Sequence, residues 1–215
     1  MINGKKYNKD YFENGIVKGI SGYQNYRWLP ELTIKMAHNF IKKLELTPSD
    51  KVLDFGCAKG YLVKALRILD INAYGCDISP YAINKVDSDV RDYCKLSEDA
   101  NKLIPFNFTF DWLITKDVME HLDEEDIDKI IPQFKNNARK CFHVIPLGKD
   151  DKYVVRNYEL DKTHCIRKPK EWWIEKFRRF GWKLISFDYK VNGIKDNWAE
   201  KYDKGNGFFI FEYGG

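Results

Sequence analysis

Apolar residues along this chain alternate between short runs and helical stripes. Val52, Leu53 and Phe55 form a brief apolar run that stops at a glycine, which predicts a strand buried on both faces of a parallel sheet. Beyond Gly60, Leu62, Val63, Leu66 and Leu69 recur at helical spacing, so the loop between them leads from a strand into a helix. Upstream, Met36, Ala37, Phe40, Ile41 and Leu44 mark an amphipathic helix that opens at Pro30, a residue favoured in a first turn. "INAYGCDIS" predicts a second strand, and "SPYAINKV" a helix with Ser79 as N-cap and Pro80 at its first position.

"YCKL", "FDWLIT" and "CFHVIP" follow as three more strands. Between the last two, "DEEDIDKIIPQFKNNAR" sets Ile127, Ile130, Ile131 and Phe134 on one helical face, with Pro132 expected to bend or shorten it. A long polar connection leads to Pro169 and the helix "KEWWIEKFRRFG", where Trp173, Ile174 and Phe177 share a face and Gly181 serves as a stop. "KLISFDYKV" and "GFFIFEY" close the chain with no helix between them, so they should pair antiparallel. The pattern predicts an α/β fold: a doubly wound, mostly parallel sheet of seven strands with one antiparallel strand, and helices on both faces. Residues 1–28 stand outside it as an N-terminal lid or arm, and 29–215 form a single domain.

Composition narrows the partners. The 215 residues are 44% hydrophobic and 15% aromatic, enough for one domain with a substantial core. Basic side chains number 36 against 32 acidic, and the net charge of +4 is too small to imply a nucleic-acid surface without a localised patch. Cysteines 57, 76, 94, 141 and 165 are odd in number and scattered, as expected in a reducing compartment. No apolar run approaches the roughly twenty residues of a membrane span, and the first residues lack the apolar core of a signal peptide. A cytoplasmic protein is the expectation.

The loop after the first strand carries the chemistry. Gly56 and Gly60 are separated by three residues, so the G-x-G-x-x-G spacing that admits a pyrophosphate is absent and a dinucleotide oxidoreductase is disfavoured. Asp54, two residues before Gly56, would repel a diphosphate and favour a cofactor with a cationic amine. Asp77 follows the loop by about twenty residues, where an acid can accept both ribose hydroxyls. A ribose with a positively charged tail satisfies both acids, and S-adenosylmethionine has that form.

On these residues the chain resembles the class I S-adenosylmethionine-dependent methyltransferases. "VLDFGCAKGYL" is similar to their first motif, "YGCDIS" to their ribose motif, "EDANKLIPF" to the adenine segment and "FDWLITKDVMEHL" to the fourth-strand motif with its Glu-His pair. A third glycine of the first motif is replaced here by Tyr61 or Leu62. The resemblance implies that Asp54, Gly56, Cys57, Gly60 and Lys116 surround the methionine end of the cofactor, Asp77 and Ile78 the ribose, and Asp99 the adenine amino group. Arg27 is a candidate for the methionine carboxylate, with Tyr11, Tyr23 and Tyr26 beside it on a lid.

His121 is the candidate catalytic base, since it follows the fourth strand and its unperturbed pKa lies near neutrality. The plainer alternative is a helix-start histidine bonded to backbone. Tyr11, Tyr23, Asp161 and His164 are candidates for substrate contact. Asp117, His121, Asp161 and His164 are the residues that would have to converge for a divalent ion, and no metal is expected. Glu120 is read as fixing local structure, His143 as a core residue and His38 as a helix-surface residue. The resemblance implies methyl transfer to an oxygen or nitrogen of a small molecule, with a sugar or nucleotide sugar as the first acceptor class. The alternatives are an RNA or protein methyltransferase and a cofactor-binding module without catalysis.

Overall fold

In the computed structural model, which describes residues 3–196 and 202–214, the first strand of the sequence pattern becomes the hub of the sheet. Trp198, in the late polar loop, lies outside the described residues. Two short helices, α1 (Lys9–Glu13) and α2 (Gly15–Lys18), precede the long helix α3 (Pro30–Leu44). Then follow β1 (Lys51–Phe55), α4 (Tyr61–Ile68), β2 (Asn72–Asp77), α5 (Pro80–Ile83), β3 (Cys94–Leu96) and β4 (Phe110–Lys116). The second half comprises α6 (Glu124–Asn137), β5 (Ala138–Pro146), a small hairpin of β6 (Gly148–Lys149) and β7 (Lys152–Tyr153), α7 (Lys170–Arg179), β8 (Trp182–Asp188) and β9 (Asn206–Tyr213).

Seven strands form one sheet in the order β3-β2-β1-β4-β5-β9-β8. β1 pairs in parallel with β2 on one side and β4 on the other, and β9 runs antiparallel to both β5 and β8. The expected architecture, one reversed strand near the C-terminal end, is therefore present. Because the chain winds outward from β1 in one direction and from β4 in the other, a crevice opens at their C-terminal ends.

Each face of the sheet has its own core. Ala37 and Phe40 of α3 and Leu66 of α4 pack on one face, and Ile127, Phe134, Trp173 and Phe177 of α6 and α7 on the other, all fully buried. α6 is not shortened at Pro132. Ile127, Ile130, Ile131 and Phe134 are all at most 1% exposed, and burying each is worth about 1.5–3 kcal/mol, more in total than the about 3 kcal/mol a proline costs mid-helix.

The N-terminal arm is folded over the crevice. The Asn8 side chain caps α1 by accepting from the backbone N–H of Asp10 and Tyr11, at 2.9 and 3.3 Å. Tyr11 and Phe12 are buried and form an aromatic cluster with Tyr23, Tyr26 and Tyr81. The Lys59 ammonium, 6% exposed, anchors that cluster to the glycine loop, donating to Glu13 Oε1 at 2.5 Å and to the Tyr26 carbonyl at 2.6 Å. Further on, Ser79 Oγ donates to the Tyr7 carbonyl at 2.5 Å. Gly4 lies so close to the Ile78 carbonyl that a Cβ would overlap it, so only glycine permits this approach.

Candidate active site

The glycine loop is shaped by its backbone. Gly56 has φ +82°, a conformation costly for residues with a Cβ, and a Cβ there would also stand 2.5 Å from Val118. Ala58, at φ 49°, turns its N–H onto Asp77 Oδ2 at 2.8 Å, while Ser79 N–H donates to Asp77 Oδ1 at 2.7 Å. Asp77 is thus held in one orientation at the end of β2. Burial pushes its carboxyl up, and these backbone donors pull it back toward ionisation. One hollow beside it is lined by Gly56, Asp77, Ile78, Leu103, Val118 and Leu122, an apolar slot with an acid at its edge.

A second recess opens from the same glycine. Asp54, Gly56, Cys57, Arg27 and Lys116 line it. Asp54 is 5% exposed, and burial, followed by the nearby charge of Asp77, pushes its carboxyl up to about 7. A cationic group in the recess would favour the ionised form of Asp54. The apolar slot, the fixed acid and the recess that favours a cation together fit an adenosine with a positively charged tail. Cys57 is buried and its thiol is pushed well above its ordinary range, by a hydrogen bond with Cys94 and then by burial, so it fills space and does not react.

Two residues expected at the cofactor lie outside these linings. Gly60 is buried behind the loop, its α-carbon facing Cys94 and Val86, where it turns the chain into α4 at φ +73°. Asp99 is exposed on a turn in which its side chain accepts from Asn101 N–H at 2.8 Å. Ser97, two residues earlier, lines the hollow instead, with its Oγ donating to the Leu103 carbonyl at 2.5 Å.

A larger cavity is built from two segments far apart in sequence. A cavity of about 1030 Å³ is walled in part by Tyr11, Tyr23, His121, Asp161 and His164. His121 and the two tyrosines line the hollow beside Asp77 as well, so His121 stands where the two spaces meet. The loop that carries His164 is fastened to the 119–121 turn: Cys165 and Ile166 N–H donate to the Glu120 carbonyl at 2.8 and 3.3 Å. The His121 and His164 rings come to 4.6 Å between centroids.

Hydrogen bonds fix which nitrogen of each ring is free. Thr163 Oγ1 donates to Asp161 Oδ1 at 2.6 Å, which leaves it as acceptor for His121 Nδ1–H at 2.8 Å and puts the lone pair on Nε2. His164 Nδ1–H donates to the Tyr158 carbonyl at 2.8 Å, with the same result. Burial, then the neighbouring His164, lowers His121 to about 4, so its ring is neutral near pH 7. Asp161 is turned to this network and to the Tyr11 hydroxyl, which donates to it at 3.0 Å. Asp117 has φ 58° and is engaged by Lys116 at 2.7 Å and by Lys195; burial opposes its ionisation, but the two lysines outweigh it and hold it well below the usual carboxylate range.

Three residues that matter here left little sign in the sequence. Lys59 ties down the arm, Thr163 sets the tautomer of His121, and Glu120, 1% exposed, has no hydrogen-bond partner on either carboxylate oxygen. The only legible trace of the last was its place beside His121. His143 is buried in the core as expected, with Nδ1 2.7 Å from Thr115 Oγ1, but it is not fully satisfied, since Nε2 has no hydrogen-bond partner; His38 is exposed on α3 as expected. Among the described residues, no helix is long and apolar enough to cross a membrane.

Comparison with known proteins agrees with this geometry. No curated protein matches the chain. A structure described as an S-adenosylmethionine-dependent methyltransferase from Clostridium acetobutylicum superposes with TM-score 0.63 at 15% identity, covering 84% of this chain and 92% of that one. The glycopeptide N-methyltransferase MtfA complexed with sinefungin gives 0.62 at 13% identity over 85% and 87%. A putative methyltransferase in complex with the Haloferax volcanii Trm112 activator gives 0.62 at 16% over 86% and 91%. At such identities the likeness is one of fold. A family model described as "Methyltransferase domain" matches residues 28–187, most of the chain, and the protein therefore belongs to the methyltransferase-domain family.

Proposed function

We propose that this enzyme transfers a methyl group to an oxygen or nitrogen of a small molecule held in the cavity beside His121, with a sugar or nucleotide sugar as the first acceptor class to test. The observation that carries the reading is that His121 lines both the adenosine hollow and the larger cavity. A volume of about 1030 Å³ suits an acceptor of that size. Residues 3–28 serve as the lid, with Tyr11 and Tyr23 facing both spaces and Arg27 at the methionine end.

Bound S-adenosylmethionine supplies the methyl group and the sulfur leaving group. The protein supplies alignment, and holding acceptor, methyl carbon and sulfur in line is worth about 7–11 kcal/mol in favourable models. The acceptor's lone pair forms the new bond to carbon, the carbon–sulfur pair stays on sulfur, and the acceptor's proton leaves on the His121 side, to the Nε2 lone pair in the metal-free protein. Incubating the protein with methyl-labelled cofactor and a panel of nucleotide sugars, amino sugars, peptides and transfer RNA tests the reading. Label in a sugar supports it; label only in RNA or peptide overturns the acceptor class.

A further inference from the structure

We propose that Glu120, His121 and His164 bind one divalent transition-metal ion at the wall between the two spaces. One donor atom from each residue lies within 4.8 Å of the others. That span is close to the roughly 4 Å separating opposite ligands around an ion whose bonds are about 2.1 Å long. The set replaces Asp117 and Asp161 of the sequence-based grouping. Asp117 is taken by Lys116 and Lys195, and Asp161 by Tyr11 and Thr163.

Glu120 is the observation that needs a ligand. Its carboxylate is buried to 1% exposure, and neither oxygen has a hydrogen-bond partner. An ionised carboxylate in that position is costly unless it is paired or coordinates a cation; without one, burial and then the charge of Asp117 favour its protonated form, and an ion would take the proton's place. The two imidazoles complete the set: each donates its Nδ1–H away, to Thr163 and to the Tyr158 carbonyl, and keeps the Nε2 lone pair that a metal takes. Metal-bound histidines are oriented by such bonds, and here the His121–Thr163–Asp161–Tyr11 chain extends them to the arm. The cavity lined by the same three residues gives an ion a way in. Two imidazoles with one carboxylate favour zinc, cobalt or manganese over magnesium or calcium.

The consequence for catalysis rests on the methyl-transfer reading. The loaded site would hold an acceptor hydroxyl on the ion and lower its pKa. The proton then goes to solvent water, the oxygen lone pair attacks the methyl carbon, and the carbon–sulfur pair departs with sulfur. His121 is a ligand in that form and a proton acceptor in the metal-free one.

Cobalt(II) added to chelator-stripped protein, without cofactor or acceptor, tests the site. One equivalent per chain should bind and give a visible d–d absorption band. Glu120→Gln and His164→Ala should each weaken binding by about ten-fold or more, and Thr163→Val by roughly ten-fold through His121. His38→Ala, an exposed histidine, should change nothing. Near-ultraviolet circular dichroism confirms that each variant is folded, and zinc or manganese should raise the melting temperature of the unmodified protein if one variant is not. No band and no thermal shift, or a band unchanged in both ligand variants, would overturn the site. Because the readout needs no turnover, cobalt binding without S-adenosylhomocysteine binding would count against the enzyme reading alone, and the reverse against the metal alone.

Discussion

Two acids at the same edge of the sheet, Asp77 half-buried and Glu120 buried, are treated in opposite ways. Asp77 receives backbone N–H donors from Ala58 and Ser79 and is held ready for a neutral polar partner such as a ribose. Glu120 receives none. Asp77 is thus satisfied before anything binds, since its geometry comes from the glycine loop and the end of β2. The half around Glu120 carries an open valence, and its parts come from the single 3-10 turn Met119–His121 and the loop that carries His164. Preorganisation of this kind favours tight cofactor binding, whereas the open half leaves chemistry and specificity to side chains.

The contrast is sharpest for His121, which belongs to both halves. His121→Ala should lower turnover by about 10²–10⁴-fold while leaving S-adenosylhomocysteine affinity within about two-fold, measured by steady-state kinetics and calorimetry. A comparable loss of cofactor affinity would erase the distinction between the halves. Asp77→Ala should behave inversely. Losing two hydroxyl contacts to a charged group, each worth about 1.5–3 kcal/mol, predicts at least about 100-fold weaker cofactor binding.

Acidity sharpens the cofactor half further. Burial, then Asp77, raises Asp54 to about 7, so it holds a proton below that pH and is ionised above it. A cationic ligand prefers the ionised form. Cofactor affinity should therefore be up to about ten-fold lower at pH 6 than at pH 8, with proton release on binding near pH 7, read by calorimetry in buffers of different ionisation heat. In the free protein the same shift works the other way: the folded state holds this proton more tightly than the unfolded one, and the stability it lends declines as pH rises from 3.8 to about 7. Asp54→Asn should flatten both profiles.

The smallest effect concerns the open half. Burial, then the charge of Asp117, pushes the Glu120 carboxyl well above its usual range, so folding of the metal-free protein at neutral pH takes up a proton there; Glu120→Gln removes that cost, and a gain of about 1 kcal/mol would raise the melting temperature by about 2–4 °C. A lowered melting temperature would mean that the carboxylate is already satisfied.

What the sequence made legible follows the same division. Strands and helices were readable because their side chains repeat at the period of the element, and Ser79 with Pro80 marked the start of α5 correctly, the Ser79 hydroxyl accepting from Ala82 N–H. Gly56, Asp54 and Asp77 were readable because strand, turn and helix place them locally. The arm's two helices were not, since each spans at most five residues, and α1 is held through Glu13 by Tyr81 and Lys59 far along the chain. The pairing of His121 with His164 depends on backbone bonds from Cys165 and Ile166 to Glu120, a contact between loops with no periodic signal. Pro132 misled because local propensity omits the four apolar side chains that hold α6 against the sheet.

A crystal structure with bound S-adenosylhomocysteine tests the central claim most directly. The account predicts ribose hydroxyls on Asp77, the amino-acid tail in the recess beside Asp54, and the sulfur at the opening toward His121 and the acceptor cavity. A sulfur turned away from that cavity, or an adenosine seated elsewhere than between Ile78 and Leu122, would contradict it.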